Sequence, residues 1–217
     1  MARTLDVVES EEFVERYGVK FCPSGVAETE EEAVALADKM GYPVVMKIVS
    51  RDIVHKTDVN GVRVWIDNEE EVREVFRDML GNARAKFPNA VIKGVQVQKQ
   101  KSGYEIIVGS KRDPQFGPTI MFGLGGVFVE VLEDVAIRVC PITRRDAEEM
   151  VMEIKGYEAL KGVRGRKPAD LEAIEDVLLR VSDMLMKEKD IQELDLNPMF
   201  ANHKGVVGAD ARVVLKR

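Results

Sequence analysis

Only two cysteines, Cys22 and Cys140, and two histidines, His55 and His203, occur among the 217 residues. None stands at the Cys-x-x-Cys or His-x-x-x-His spacings that build zinc sites, which excludes structural zinc and leaves the thiols to be read as reduced. Aromatic residues make up 6% of the chain, with one tryptophan, Trp65. Trp65 and the ten methionines read as packing residues. No stretch approaches the roughly 20 apolar residues that span a bilayer, and the opening MARTLDVVESEEF has no apolar signal core, so a cytoplasmic protein is expected. Basic charge is not in excess. The 32 Lys and Arg are interspersed among 38 Asp and Glu, for a net charge of -6, which leaves no footprint for nucleic acid or an anionic membrane. A GxxxxGK[ST] phosphate loop is missing, and the glycine-rich FGLGGVFVE places Phe128 where a dinucleotide fingerprint needs a small residue, so neither a P-loop nor a Rossmann motif is present. A plain turn and a set of amides facing phosphate both remain open for Gly123, Gly125 and Gly126.

What is present is an ordinary globular composition, 45% hydrophobic and 32% charged, long enough for one large domain or two small subdomains. Thr29 with Glu32 and Asn68 with Glu71 each place a capping residue three positions before an acid. The pattern predicts a helix running through Ala33, Val34, Ala37 and Met40 to Gly41. A second runs through Val72, Val75, Phe76, Met79 and Leu80 to Gly81. Between them, Pro43 to Val49 is an apolar strand run, followed by a polar loop to Asn60 and a strand from Gly61 to Ile66. Further strands are expected at Gly94–Lys99, Glu105–Gly109, Pro118–Phe122, Phe128–Val131 and Ile137–Val139, then at Ile191–Leu196 and Gly205–Leu215. Helices are expected around Ala147–Ile154 and Leu171–Leu185. The order predicts an α+β fold of two subdomains with a cleft between them, about 19–93 and 1–18 plus 94–217, and a hinge near residues 94 to 100. Gly162 to Lys167, basic and glycine-containing, reads as a mobile loop.

Several residues could carry chemistry. Lys47 sits inside PVVMKIV, where an ammonium is costly unless an anion or acceptor meets it; an edge lysine reaching solvent is the alternative. His55 lies in the polar loop SRDIVHKTDVNGV with Arg51, Lys56 and Asp58. It is either a solvent-facing histidine or a ring-nitrogen nucleophile among cations that would stabilise a phosphoryl group. In ELDLNP, strand alternation puts Glu193, Asp195 and Asn197 on one face, with Asp210 on the next expected strand. This oxygen-only set suits Mg²⁺, which takes one or two protein ligands and completes its shell with water and nucleotide phosphates. A solvated strand face is the plainer reading.

In order along the chain, GYPVVMKIVSRDIVHKTDVNGV, GYEIIVGSKRDPQFGPTIMFGLGGVFVEVLEDV and LDLNPM resemble the β subunits of ADP-forming acetate–CoA ligases. These acyl-CoA synthetases are related to succinyl-CoA synthetase, and the resemblance extends over nearly the whole chain. It implies an ATP-grasp fold and interconversion of acyl-CoA, ADP and phosphate with carboxylic acid, ATP and CoA. By the same resemblance Lys47 contacts nucleotide phosphates, Gln98 lies at the adenine-side hinge and Glu105 lines the nucleotide cleft. His55 is a second phosphohistidine, fed by a histidine of an α subunit and delivering to ADP. Asp195 supports the phosphohistidine, and Asn197 and Asp210 hold Mg²⁺. Implied partners are an α subunit that carries the CoA-binding domain and the first phosphohistidine, in an α/β heterotetramer. Arg51 and Asn60 depart from the family pattern, in which proline and a second glycine are common. A relay between sites on two subunits needs reach, so residues 50 to 60 are expected to swing, with Gly61 as a hinge. Two other readings of the same fold are a stand-alone carboxylate ligase, for which His55 is dispensable, and a nucleotide-sensing subunit that is never phosphorylated.

Overall fold

The computed structural model describes residues 2–53, 56–126, 134–163 and 165–216. The chain divides into two compact units, one made of residues 1–5, 9–21 and 102–217, the other of 6–8 and 22–101.

The smaller unit is a four-stranded antiparallel sheet in the order β2-β5-β3-β4, formed by β2 (Ser24–Ala27), β3 (Val44–Ser50), β4 (Val62–Ile66) and β5 (Ile92–Lys99). Helices α2 (Glu30–Met40) and α3 (Glu69–Lys86) pack on it. Both begin as their caps predict, with Thr29 accepting from Glu32 N and Asn68 from Glu71 N. Helix α2 ends at Gly41, whose φ of 73° is open to glycine at little cost. Helix α3 does not end at Gly81. It continues five residues farther because nothing crowds Gly81 and Ala83 is fully buried in the core; a mid-helix glycine costs only about 1 kcal/mol.

Ladder pairing also moves the expected subdomain boundary. Residues 94 to 99 are no hinge but the body of β5, bonded to β2 on one side and β3 on the other, so the smaller unit runs on to Lys101.

The larger unit holds a seven-stranded sheet in the order β1-β11-β9-β6-β7-β8, with β10 also paired to β9. Its strands are β1 (Ala2–Thr4), β6 (Tyr104–Asp113), β7 (Gly117–Leu124), β8 (Val135–Val139), β9 (Ile191–Asn202), β10 (Gly205–Gly208) and β11 (Arg212–Lys216). Helices α4 (Arg144–Glu153) and α6 (Leu171–Lys187) cover one face, with the short α5 (Tyr157–Leu160) between them in sequence. Alternation along the strands delivers Val108, Ile120, Phe122, Ala136, Leu194, Leu196 and Val213 to that buried face. There they meet Met150 and Val151 of α4 and Ile174, Leu178 and Val181 of α6. Helix α1 (Val7–Glu15) was not anticipated, because its short run of acids hides its period. The strand expected at Phe128–Val131 lies outside the described residues.

The Gly162–Lys167 loop is tied down where it is described. Tyr104 donates its hydroxyl to Lys167 O at 3.1 Å, and the Arg166 guanidinium sits 5.6 Å from the Tyr104 ring centre.

Candidate functional site

In the smaller unit, parity along β3 and β5 separates two faces. Met46, Ile48, Val95 and Val97 go to the helix-covered core. On the other face Lys47 stands directly opposite Gln96, with Gln98 two residues along, and Ser24 of β2 opposite Gln98. Lys47 is only 4% exposed. It donates its ammonium to Gln98 Oε1 at 3.0 Å, and Gln96 Nε2 donates to Ser24 Oγ at 3.1 Å. The structure therefore joins Lys47 and Gln98, two residues expected to contact nucleotide, in one buried hydrogen bond. The bond fixes the direction of a buried ammonium on this face of the sheet. Gln96 and Ser24 were missed, although the alternation Gln96-Val97-Gln98 within a strand already placed Gln96 beside Gln98.

His55 lies outside the described residues. Described residues on both sides of this stretch are anchored. Ile53 and Val59 are 2% and 3% exposed and belong to the core of the smaller unit. Ser50 Oγ donates to Val91 O at 2.8 Å, and Val91 N donates to Asp52 Oδ2 at 2.7 Å. Arg51 Nε is 4.0 Å from the buried carboxylate of Asp6, which Lys93 Nζ meets at 2.6 Å. Gly61 is not placed as a hinge. Its N–H donates to Lys56 O at 2.6 Å and its carbonyl accepts from Ile48 N at 2.9 Å, and a Cβ there would lie 2.8 Å from both Lys56 O and Ile48 Cγ2. Swinging the whole of 50 to 60 would strip Ile53 and Val59 from the core at about 2 kcal/mol each.

In the larger unit, Glu105 is exposed near the start of β6. The glycine pair after β7 packs onto it: Gly125 N donates to Glu105 O at 2.7 Å, and a Cβ on Gly125 would lie 3.0 Å from Glu105 Cβ. Gly126, at φ 70°, would place a Cβ 3.4 Å from Glu105 Oε2. These glycines give the backbone room beside the Glu105 carboxylate.

The acidic set forms around an irregularity of β9. The β6–β9 register runs Val108↔Leu196, then Ile106↔Met199, so Asn197 and Pro198 occupy a bulge, a device that re-aims side chains beside active sites. The single strand expected from Gly205 to Leu215 is broken at the same level. Strand β10 pairs with Met199–Asn202 and β11 with Ile191–Asp195, leaving Asp210 in the break rather than in a strand. Ala209 N donates to Pro198 O at 2.9 Å, which holds the break against the bulge. Asp195 stays in the ladder, opposite Arg212. Burial pushes its carboxyl above the usual carboxylate range; Arg212 opposes that push and the charge of Asp210 adds to it. Arg212 was missed because its value depends on register. Among the described residues no group of three or more His, Cys, Asp or Glu could hold a metal ion. The oxygens of Asn197 and Asp210, one carbonyl and one carboxylate, fit Mg²⁺, which asks a protein for one or two ligands.

A family model for the ATP-grasp domain matches residues 1–215. The chain belongs to the ATP-grasp family. Within that family, the β subunit of acetate–CoA ligase [ADP-forming] I from Pyrococcus furiosus is 48% identical over 214 residues, covering 98% of this chain and 92% of that one. Acetate–CoA ligase [ADP-forming] I from Archaeoglobus fulgidus is 50% identical over 203 residues, 93% of this chain but 30% of that longer polypeptide. In the solved ATP-grasp structures, acetyl-coenzyme A synthetase 1 of Ca. Korarchaeum cryptofilum, in complex with coenzyme A and Ca-AMPCP, superposes with a TM-score of 0.94 at 46% identity, covering 99% of this chain and 94% of that chain. Another form of that protein contains Mg-AMPPCP and a phosphohistidine segment pointing towards its nucleotide-binding site, with a TM-score of 0.85 at 42% identity and 99% and 93% coverage.

Proposed function

We propose that this ATP-grasp chain is the nucleotide-binding β subunit of an ADP-forming acyl-CoA synthetase, interconverting acyl-CoA, ADP and phosphate with carboxylic acid, ATP and CoA. The observation that carries this reading is the bulge of β9 set against the break between β10 and β11, which gathers Asp195, Asn197 and Asp210 at one level of the sheet. An oxygen-only set beside a carboxylate that a cation opposes suits phosphoryl transfer, in which the protein contributes position and charge rather than covalent chemistry.

In the ATP-forming direction a phosphate oxygen attacks the thioester carbonyl at the partner's site, CoA leaves as its thiol, and an acyl phosphate forms. A histidine of the partner attacks the phosphorus and the carboxylate leaves. His55 of this chain then takes the phosphoryl group through a ring nitrogen, and an oxygen of the ADP β-phosphate takes it from His55, restoring the imidazole. Lys47 holds the nucleotide phosphates, Gln98 positions Lys47 and the base end of the cleft, and Glu105 lines the cleft. Asp195 balances the imidazolium character of phosphohistidine. Asn197 and Asp210 would hold Mg²⁺, whose charge offsets that of the phosphate oxygens. CoA binds mainly to the α subunit, which also selects the acyl group, and an α/β heterotetramer in the cytoplasm is the working assembly.

The test is to mix the chain with its partner subunit and ATP labelled at the γ-phosphate. An acid-labile, base-stable label is expected on this chain and absent from His55→Asn, with nucleotide binding by that variant unchanged. Normal acyl-CoA-dependent ATP synthesis by His55→Asn would refute the relay.

A further inference from the structure

Strands β10 and β11 follow β9 in one register. Gly208 stands opposite Met199 and Arg212 opposite Asp195, so residues 209–211 run alongside Leu196, Asn197 and Pro198. Asp210 is therefore level with Asn197, and the bond from Ala209 N to Pro198 O at 2.9 Å fits that alignment. Leu194, Leu196 and Val213 go to the core, which leaves Glu193, Asp195 and Arg212 on the opposite face of the sheet. Along that face Arg212 occupies the middle level. Glu193 lies two residues to one side and the Asn197–Asp210 level two residues to the other, about 6.8 Å each way. The guanidinium is turned towards Glu193: Nη2 donates to Glu193 Oε2 at 3.3 Å, which among the described residues is its one hydrogen bond, and the two side chains are 43% and 42% exposed. An exposed pair of this kind adds little to stability. It also engages one of five N–H donors in a group whose planar fork suits two oxygens of a phosphate.

We infer that Arg212 is a catalytic residue of the proposed relay: its guanidinium leaves Glu193, turns past Asp195 and takes two oxygens of the phosphoryl group held level with Asn197 and Asp210. The inference rests on that relay. As the group passes to ADP, the bond from phosphorus to the imidazole nitrogen breaks and its electron pair stays with the ring. An oxygen of the ADP β-phosphate supplies the pair for the new bond. The guanidinium gives and takes no proton; it offsets charge on the oxygens that remain on phosphorus, which Glu193, Asp195 and Asp210 would otherwise repel. A side chain that reaches the level of Glu193 reaches the level of Asn197 equally well, because both lie two residues from its own. Leaving Glu193 is inexpensive as well. Lys111 of β6 stands directly opposite Glu193 and has no ion pair among the described residues, so it can compensate that carboxylate. The other cations of β6 and β11 are not competitors for the role. Arg112 is committed to the carbonyls of Ile191 at 2.9 Å and Leu185 at 3.2 Å, and Lys216 lies at the far end of β11, opposite Ala2.

The test uses the chain assembled with its partner subunit and follows ATP formation from acyl-CoA, phosphate and ADP. Arg212→Ala is expected to lower kcat about 100-fold, with KM for Mg-ADP within threefold of wild type. Millimolar ethylguanidinium is expected to raise that kcat at least tenfold without raising the variant's Tm, and to do nothing for Lys47→Met; a purely structural arginine gives no such rescue. Arg212→Lys, which keeps a cation beside Asp195 but lacks the fork, is expected to melt with wild type and still lose at least fivefold in kcat. A kcat for Arg212→Ala within twofold of wild type overturns the inference, as does a loss that ethylguanidinium does not relieve. If the alanine variant does not fold, Arg212→Lys decides alone, and wild-type turnover by it overturns the inference. Labelling of the wild-type chain keeps the two readings apart. A wild-type chain that never carries acid-labile label refutes the relay and the inference with it, whereas a labelled wild type beside a fully active Arg212→Ala removes the arginine alone.

Discussion

The Lys47 ammonium is held 3.0 Å from Gln98 Oε1, and both residues are essentially removed from solvent, at 4% and 1% exposure. The bond orients the Lys47 ammonium, which is what a phosphate-binding lysine requires.

Nucleotide affinity should therefore depend on the two residues jointly. Lys47→Met is expected to raise the Kd for Mg-ADP by about 10- to 100-fold, the range for losing a charge-assisted contact. Gln98→Leu should raise it less, and the double variant should show coupling of about 0.5 kcal/mol or more. Calorimetric titration of the four proteins decides the matter, and an unchanged Kd for Lys47→Met would remove Lys47 from the site.

Asp195 should make stability and turnover move in opposite directions. Its native carboxyl is raised above the ordinary 3.8, chiefly by burial, so the folded protein holds this proton more tightly than the unfolded chain does. The favourable contribution is complete below the ordinary value and disappears as pH rises through the raised one. Asp195→Asn is accordingly expected to raise Tm at pH 7 relative to wild type and to lose that advantage below about pH 3.8, while phosphoryl transfer through His55 slows. Arg212→Met, which removes the opposing cation, should lower Tm at pH 7. Thermal melts across the pH range check both signs; a pH-independent difference between wild type and Asp195→Asn would contradict the linkage.

Gly125→Ala should weaken nucleotide binding by disturbing Glu105. The new methyl group would sit 3.0 Å from Glu105 Cβ and 3.2 Å from its carbonyl carbon, close enough to force backbone movement at a cost of about 1–3 kcal/mol. A several-fold higher Kd for Mg-ADP is expected together with a lower Tm. Gly81→Ala, exposed in α3 with nothing within 4 Å, is the contrasting case and should raise Tm by relieving about 0.5–1 kcal/mol of glycine cost. Unchanged nucleotide affinity in a folded Gly125→Ala protein would separate the glycine pair from the site.

Local signals in the sequence were dependable where one short-range contact governs the outcome. Thr29 and Asn68 cap their helices because a side-chain oxygen three residues from an orphan N–H needs nothing else, and Gly41 ends α2 because its backbone angle favours glycine. Gly81 misled for the complementary reason. Whether a helix stops at a glycine depends on what the next turn buries, and Ala83 is buried by residues distant in sequence.

The same division holds at the candidate site. Alternation in ELDLNP and in the apolar run around Lys47 selected the residue types and the strands that carry them, and motif order tied them to one family, because side-chain direction in a strand follows from a period of two. Pairing was beyond local reach. That Lys47 bonds Gln98, that Arg212 stands opposite Asp195, and that β9 bulges at Asn197 where its neighbour breaks at Asp210 are all consequences of ladder register. Register is set by the summed burial of whole strands against their helices rather than by any single residue, so the sequence by itself determined which groups are available and the tertiary structure decided which of them meet.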